Sequence, residues 1–423
     1  MQATTFLTTS TLRGVPKDAP NNAPQSMIGR CATDGSLGSP VALLKRSALA
    51  NNSRWMHRFA AHYRVQLAPH GKTSMAPKIF EMQLRDGSRW LSLANVTQAQ
   101  VARTAGAKHI LISNQVVNLH DLEYLARETS SGEFEAMCYV DSVEGVRLLE
   151  TAIDRHARKT PFPVLIEIGV IGGRAGVRGV EQAQEVARVV NQCPSLVLAG
   201  LAGYEGVYSP KDSECISKVD GYLHSVVETA KKLAAEGLFT GDQIVLTAGG
   251  SKFFDRVAEI FSAADLGKPV DVILRCGCYL FHDAGIYEEA MQMLYQRNDF
   301  ARSLGRLMPA IEIWGQVQSR PESVRAIVDI GRRESSYDAG LPIPYLWSRP
   351  ADSQAIRKLG GSTTAKLNDQ HCFLDLEEES PLQIGDLVGF AVSHPCTVFD
   401  KWHGMYLVDD DYIVADFVET FFG

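Results

Sequence analysis

The chain has 423 residues, of which 45% are hydrophobic and 22% charged, as is ordinary for a soluble globular protein. Its formal net charge of −7 supplies no basic excess, so we expect neither a nucleic acid nor a membrane surface among its partners. No apolar run is long enough to cross a bilayer, and the first residues do not resemble a secretory signal. Eight scattered cysteines without disulfide spacing favour a reducing, cytoplasmic setting.

The N-terminal region is rich in Thr, Ser, Asn, Pro and Gly and has no sustained periodicity. We therefore predict that residues 1–38 form a mobile or loosely docked extension. Val41–Leu44 is a candidate strand. Ala48–His62 carries apolar residues at helical spacing and is predicted to be a helix.

Short apolar runs and helical patterns alternate from Val65 onwards. The runs predict buried strands at Val65–Ala68, Trp90–Ala94, His109–Ile112, Glu135–Val140, Val164–Ile168, Leu196–Tyr204, Gln243–Thr247 and Val270–Leu274. The clearest helical patterns are Val143–Ile153, Glu181–Val190, Tyr222–Ala235 and Phe254–Phe261. This order predicts βαβ units, and the strand number favours an α/β fold with a TIM-type (β/α)8 barrel over residues 39–305. An open parallel sheet is the alternative, because periodicity does not show closure.

The pattern changes near Met308, where short strands replace the alternation. The candidate strands are Ile311–Val317, Ala326–Asp329, His371–Leu376, Leu387–Val392, Met405–Val408 and Ile413–Phe417, and a long polar loop is predicted at Arg332–Ala365. We predict a C-terminal all-β domain over residues 306–423, joined at its edge by the strand at Val41–Leu44.

A lysine follows the first barrel strand, in the run His70-Gly71-Lys72-Thr73. Active sites of such barrels lie at the C-terminal ends of the strands. Lys72 is therefore placed for covalent carbonyl chemistry if burial or a nearby cation lowers the pKa of its amine. The alternative is a solvated loop lysine.

Glycine-rich loops follow the seventh and eighth strands. They contain Gly249, Gly250 and Ser251 in one loop, and Gly277, Cys278 and Tyr279 in the other. Backbone N–H groups in such loops suit a phosphate, although the glycines alone would also make ordinary turns. Arg174 could contact a cofactor ring or a substrate carboxylate, or pair with a loop acid. Tyr204 could stack or form a hydrogen bond, or be a core tyrosine.

His394 and Cys396 form the sharpest chemical feature of the predicted β domain. If this segment is extended, the two side chains share one face and can point at one ion. Nitrogen and sulfur together suit zinc, and two protein ligands would leave open positions for catalysis. A buried cysteine beside a turn histidine is the alternative.

Four segments carry a family resemblance: A-P-H-G-K-T at Ala68–Thr73, L-I-S-N-Q-V-V at Leu111–Val117, the glycine-rich run with Arg174 that ends at Val177, and H-P-C-T-x-F-D-K-W from His394. With them the chain, from about residue 40 to its end, resembles the D-threonine aldolase and D-serine dehydratase family. That family belongs to the fold-type III pyridoxal-phosphate enzymes, which include alanine racemase.

The resemblance implies specific roles for these residues. It implies that Lys72 carries the Schiff base of pyridoxal 5'-phosphate (PLP), that zinc binds to His394 and Cys396, and that the protein is a homodimer. The implied surroundings of the cofactor are His70, Arg174, Tyr204, Gly249, Gly250, Ser251, Gly277, Cys278 and Tyr279. The dehydratase branch has His-x-Cys at the metal, whereas the aldolase branch has His-x-Asp.

We therefore expect a PLP- and zinc-dependent lyase that converts a small D-β-hydroxy amino acid, D-serine first, to an α-keto acid and ammonia. The alternatives are D-threonine aldolase-type cleavage and a non-catalytic PLP-binding protein. Ala68 stands where the family has an arginine, and Ser74-Met75 replaces the common His-Lys. Cys276 and Cys278 are also unusual, which indicates a divergent branch.

Overall fold

The computed structural model describes residues 12–17, 19, 23–209, 212–350, 352 and 356–422. The first strand, β1, spans Val41–Lys45. The next eight are β2 Gln66–Leu67, β3 Leu91–Leu93, β4 His109–Gln115, β5 Glu135–Val140, β6 Phe162–Ile168, β7 Leu196–Gly203, β8 Ile244–Ala248 and β9 Val270–Leu274. The helices are α1 Ala23–Ser26, α2 Arg46–Tyr63, α3 Pro77–Arg85, α4 Val96–Thr104, α5 Leu119–Thr129, α6 Val143–Ile153, α7 Val180–Gln192, α8 Cys215–Ala235, α9 Phe254–Ser262, α10 Ile286–Arg297, α11 Asp299–Ser303 and α12 Cys396–Phe399.

Strands β2 to β9 form one parallel sheet that curls into a nearly closed barrel. Their order is β2-β9-β8-β7-β6-β5-β4-β3, and every pairing is parallel. The gap between β2 and β3 is narrowed by a parallel bridge between His70 and Ser92, and Ser92 N donates to Pro69 O at 3.1 Å. The predicted TIM-type barrel is confirmed, and closure falls beside the segment that carries Lys72.

The second sheet is built mainly from the C-terminal part of the chain. Its strands after β1 are β10 Ile311–Glu322, β11 Arg325–Val328, β12 Ile343–Ser348, β13 Arg357–Lys358, β14 Thr363–Leu367, β15 Cys372–Asp375, β16 Leu387–Ala391, β17 Gly404–Val408 and β18 Val414–Glu419. The main path is β13-β12-β16-β10-β1-β17-β18, with β11, β14 and β15 branching from β10. The predicted C-terminal all-β fold is therefore confirmed.

Strand β1 lies inside this second sheet, whereas an edge position was expected. It pairs antiparallel with β10 and parallel with β17, and its first four residues are buried. Apolar residues before β1 pack on the same face: Val15, Met27 and Leu37 lie in one cluster with Leu43 and Tyr406. The expectation of a mobile extension also covers residues 1–11, 18 and 20–22, which lie outside the described residues.

The predicted polar loop Arg332–Ala365 contains two strands, β12 and β13, and the start of β14. This part of the sequence prediction was wrong for a physical reason. A register shift between Pro344 and Leu346 breaks the two-residue period of β12, and β13 has only two residues. Alternation, the signal that predicts a strand, is therefore missing here.

The barrel and the second sheet meet where the eighth barrel strand ends. Ala284 N donates to Val392 O at 2.9 Å, and Gly285 lies so close to Ser393 that an added Cβ would be 2.9 Å from its Cα. The segment with His394 and Cys396 is therefore held against the carboxyl end of the barrel. Among the described residues, no helix is long and apolar enough to span a membrane.

Candidate active site

A cavity of about 300 Å³ opens at the carboxyl end of the barrel strands. Its walls come from several different strand ends. Of the residues predicted to surround a cofactor, those that line it are His70, Lys72, Arg174, Tyr204, Gly249, Gly250, Ser251, Gly277 and Cys278. Tyr279 does not line it, because its side chain is completely buried in the core.

Lys72 lies on a tight 3-10 turn, Gly71–Thr73, directly after β2. Gly71 permits this turn, because a Cβ there would be 2.7 Å from the ring of Phe80. The side chain of Lys72 is exposed and borders the cavity. The backbone that carries Lys72 is therefore short and closely packed, and the lysine side chain lies at the cavity.

His70 is held neutral beside this lysine. Burial is the main cause that lowers the pKa of His70 well below its usual value, and the charges of Lys72, Arg275 and Arg174 add to it. Its Nδ1 atom is buried and has no hydrogen-bond partner among the described residues. The hydroxyl of Tyr139, which also lines the cavity, is likewise buried without a hydrogen-bond partner among the described residues. Buried polar atoms of this kind indicate that a ligand completes the site.

The loop after β8 is supported by a buried carboxylate that the sequence analysis did not single out. Glu205 is fully buried and accepts hydrogen bonds from Gly249 N at 3.1 Å and from Gly250 N at 2.6 Å. The two backbone donors expected to face a phosphate are thus engaged by Glu205. Next in the chain come Ser251 and the N-terminus of α9, which no described side chain caps. That N-terminus suits an anion.

The loop after β9 packs against the lysine segment through Gly277. A Cβ at this position would be 2.5 Å from His70 O, so only glycine allows the two backbones to approach so closely. Arg275, just before it, donates to Thr247 Oγ1 at 2.8 Å and to Gly203 O at 2.6 Å. Arg275 is not among the site residues predicted from the sequence, although a charge at the end of a buried strand is a recognisable signal.

Arg174 and Tyr204 form a pair on the wall of the cavity. The guanidinium carbon of Arg174 is 4.3 Å from the ring centroid of Tyr204, the geometry of a cation–π contact. The contact keeps the positive charge of Arg174 at the cavity. Among the described residues, no carboxylate forms an ion pair with this guanidinium. Such a charge can receive a substrate carboxylate.

His394 and Cys396 lie at the same end of the barrel, but not in the extended conformation that the sequence analysis assumed. Strand β16 ends at Ala391, Pro395 has helical angles (φ −58°, ψ −43°), and Cys396 begins the short helix α12. Alternation along a strand therefore does not relate the two side chains. His394 Nδ1 is 2.6 Å from Asp338 Oδ2, and Asp338 Oδ1 accepts from Thr397 Oγ1 at 2.7 Å.

Cys396 faces the lysine turn and the loop after β9. Its sulfur is 3.3 Å from Thr73 Oγ1 and 3.5 Å from the sulfur of Cys278. The hydrogen bond from Cys278 is the main cause that lowers the pKa of Cys396, and Thr73 and the charge of Lys72 add to it. The same contact raises the pKa of Cys278. Cys396 is therefore the thiol of this pair that ionises more readily.

The residues of the cavity fit a carbonyl cofactor that carries a phosphate. They offer a primary amine at Lys72, unpartnered polar atoms at His70 and Tyr139, and an uncapped helix N-terminus behind Ser251. The sulfur and imidazole donors nearby suit a borderline-soft metal. In the described part of the chain, however, no three His, Cys, Asp or Glu side chains are grouped closely enough to hold an ion.

Comparison with known proteins agrees with this architecture. Residues 44–215 match the family model "Alanine racemase, N-terminal domain", and residues 310–408 match "Putative serine dehydratase domain". The chain is 26% identical to 3-hydroxy-D-aspartate aldolase from Paracoccus denitrificans (strain Pd 1222), over 88% of this chain and 89% of that protein.

Two solved structures show the same fold. D-threonine aldolase from Filomicrobium marinum superposes with a TM-score of 0.72 at 23% identity, covering 91% of this chain and 95% of the other. D-threo-3-hydroxyaspartate dehydratase from Delftia sp. HT23 gives 0.71 at 20% identity, covering 92% and 99%. A cysteine-to-alanine variant of a D-threo-3-hydroxyaspartate dehydratase is also similar, in a metal-free form.

The two domain matches and the fold together define a fold-type III pyridoxal-phosphate enzyme. Within that class the matched C-terminal domain and the relatives are D-serine dehydratase-like, and the expectation of a PLP-dependent lyase is confirmed. Its individual site residues remain predictions, supported by the geometry described above.

Proposed function

We propose that the protein is a PLP- and zinc-dependent dehydratase of a small D-β-hydroxy amino acid, with D-serine as the first candidate. The observation that carries the proposal is the contact between the lysine turn, which lines the cavity, and the segment with His394 and Cys396. Thr73, next to Lys72, contacts Cys396 at 3.3 Å, and the charge of Lys72 lowers the pKa of Cys396. This proximity supports a base at Lys72 and a metal ligand at Cys396 that act on the same substrate.

The cofactor would be held by residues from several strand ends. Lys72 would bind its carbonyl carbon through Nζ, while Ser251 and the N-terminus of α9 would receive its phosphate. Tyr204, and Gly249, Gly250 and Gly277 at the glycine loops, would border it. When bound, PLP supplies an electron sink that makes the Cα proton of an amino acid acidic.

The chain's own groups then bind and move protons. Lys72 accepts the Cα proton at Nζ as general base. Arg174 binds the substrate carboxylate from its position over Tyr204. His70 stays neutral and accepts or donates a hydrogen bond without competing for the proton, because its pKa is low.

The leaving hydroxyl needs assistance near neutral pH. His394 and Cys396 would hold zinc, and when bound the ion supplies Lewis acidity to the departing oxygen. Loss of this hydroxyl gives an enamine that hydrolyses to an α-keto acid and ammonia. The metal-free cysteine variant of a dehydratase neighbour supports the link between a cysteine and a metal in this group.

Cleavage by an aldolase-type reaction is the second candidate, because the 26%-identical relative is a 3-hydroxy-D-aspartate aldolase. Cysteine at position 396, where the aldolase branch has aspartate, favours the dehydratase. A cytoplasmic location and a homodimer are part of the proposal. The eight free cysteines support a reducing compartment, and the exposure of Lys72 in a single chain leaves room for a second subunit to cover the site.

The proposal is tested on the purified protein by its absorption spectrum and its products. We expect a PLP band that borohydride traps on Lys72, and keto acid plus ammonia from D-serine, D-threonine or 3-hydroxyaspartate. Lys72→Ala should lose the band and reduce turnover by about 10³-fold or more. Lys78→Ala, which removes an exposed lysine paired with Asp416, is the matched control and should keep both.

Other outcomes separate the alternatives. A chelator should abolish turnover, and zinc should restore it. Glycine plus an aldehyde as products would favour the aldolase reaction. Bound PLP without turnover of any of these substrates, with or without added zinc, would contradict a catalytic role.

A further inference from the structure

Two cysteine thiols from different domains meet at the edge of the cavity. Cys278 lies on the 3-10 turn Cys278–Leu280 after β9, and Cys396 lies at the start of α12. Their sulfur atoms are 3.5 Å apart, and Thr73 Oγ1 is 3.6 Å from the first and 3.3 Å from the second. Both residues are partly exposed, so an ion can reach them.

The spacing of the sulfur atoms matches that of two thiolates on one metal ion. In a tetrahedral zinc site with bonds of about 2.3 Å, two sulfur ligands lie about 3.8 Å apart. A disulfide would need about 2.05 Å, well below the 3.5 Å observed. From this geometry we infer that Cys278 and Cys396 bind the metal together. The inference rests on the metal dependence of the proposed function. It assigns Cys278 as a metal ligand, whereas the sequence predicted a residue that surrounds the cofactor.

The second thiolate affects which metal binds. One thiolate with an imidazole accepts several divalent ions, whereas two thiolates strongly favour zinc over harder ions such as magnesium or manganese. Cys278 follows a barrel strand, and Cys396 begins α12, which lies between β16 and β17 of the second sheet. The ion would therefore also connect the two domains beside the substrate. His394 and the substrate oxygen would take the two remaining positions of a four-coordinate ion.

Cobalt(II) in place of zinc makes the number of thiolate ligands visible. The holoenzyme is loaded with Co²⁺, and the near-ultraviolet thiolate-to-cobalt band is measured in wild type, Cys278→Ala and Cys396→Ala. Each variant should lose about half of the intensity. Zinc affinity, measured by competition with a chromophoric chelator, should fall by at least about 10-fold in each, because loss of a ligand costs no less than loss of its outer-shell partner.

Cys276→Ala is the matched control. It removes a thiol two residues away that contacts Met56 Sδ at 4.0 Å instead of Cys396, and it should leave the cobalt band unchanged. Cys278→Ser provides a second variant with a side chain of similar size if the alanine variant is unstable. It should lose the same share of the band.

The outcomes distinguish this inference from the proposed function. A cobalt band that keeps its full intensity in both Cys278 variants but disappears in Cys396→Ala would overturn the inference and leave the dehydratase proposal intact. Absence of any thiolate-to-cobalt band in wild type would overturn both metal assignments. Absence of a PLP band in the wild-type protein would instead contradict the proposed function. It would leave the count of thiolate ligands on cobalt unchanged.

Discussion

Asp338 determines how His394 can act. Its carboxylate lies 2.6 Å from Nδ1 of the imidazole, and its other oxygen is held by Thr397. A carboxylate in this position favours the tautomer with a proton on Nδ1, which leaves the lone pair of Nε2 free for a metal. Burial alone would raise the pKa of Asp338. The hydrogen bond with His394 lowers that pKa below its usual value, so the acid stays ionised at neutral pH.

Asp338→Asn should therefore weaken zinc binding by about 10–100-fold, the usual cost of losing an outer-shell carboxylate. The amide keeps the shape but cannot provide the negative charge. The measurement is a zinc competition titration, with the absorption of bound PLP recorded in parallel and expected to be unchanged. Asp369→Asn, an exposed acid paired with Arg333, is the control. Equal zinc affinity in wild type and Asp338→Asn would show that His394 does not depend on this contact.

At the scale of elements, the glycine loop after β8 depends on Glu205. The carboxylate is buried and receives two backbone N–H groups that the loop would otherwise leave unpaired. Hydrogen bonds to a charged group contribute about 1.5–3 kcal/mol each, and unpaired buried donors cost a similar amount. The shape of the loop therefore depends on a side chain from the preceding strand end.

Glu205→Ala should reduce the free energy of unfolding by about 2–4 kcal/mol, because it leaves one buried and one partly buried donor without an acceptor. Glu205→Gln keeps one acceptor oxygen and should cost clearly less. Denaturant unfolding of the two variants measures the difference. Equal losses in both would mean that the volume of the side chain, and not its acceptors, supports the loop.

The regular elements were predictable because their burial is periodic. Glu135–Val140, Val270–Leu274 and Val143–Ile153 have the same bounds in the structure as in the sequence prediction. In a parallel barrel each strand is buried on both faces, so an apolar run of five or six residues is a strong signal. Strand β12 lacked that signal because its register shift breaks the pattern.

The candidate site was predictable only in part. Lys72 and the glycines follow strand ends and could be identified from position alone. Glu205, Asp338 and Arg275 act through long-range contacts, such as the link between Asp338 and His394, that no local pattern encodes. The relation between His394 and Cys396 was misjudged because a proline turns the chain into a helix between them.

At the scale of the whole molecule, β1 makes the two domains interdependent. It supplies an interior strand of the second sheet, yet α2 of the barrel region follows it directly. Without β1, both β10 and β17 would expose unpaired backbone groups and the apolar residues beneath them. The second sheet is therefore not a unit that residues 306–423 can form alone.

We expect a fragment of residues 306–423 to remain unfolded or to aggregate. Circular dichroism and the dispersion of amide proton NMR signals are the measurements. The matched control joins residues 12–45 to the fragment through a flexible linker, which restores β1 and the cluster around Leu43, and it should form the sheet. A well-dispersed spectrum from residues 306–423 alone would show that β1 is dispensable.

The position of β1 also bears on the order of events during synthesis. Leu44 leaves the ribosome long before Ile311, and Leu43 long before Tyr406, the residues with which they pair. The apolar strand must therefore wait, exposed or covered by a chaperone, while the whole barrel is translated. Because β17 follows the segment with His394 and Cys396, the nascent chain cannot complete its second sheet until this proposed metal-binding segment has emerged. In a ribosome-stalled chain that ends before β17, β1 lacks one of its two partner strands. Proteases should therefore cleave the second sheet of this chain faster than they cleave its barrel.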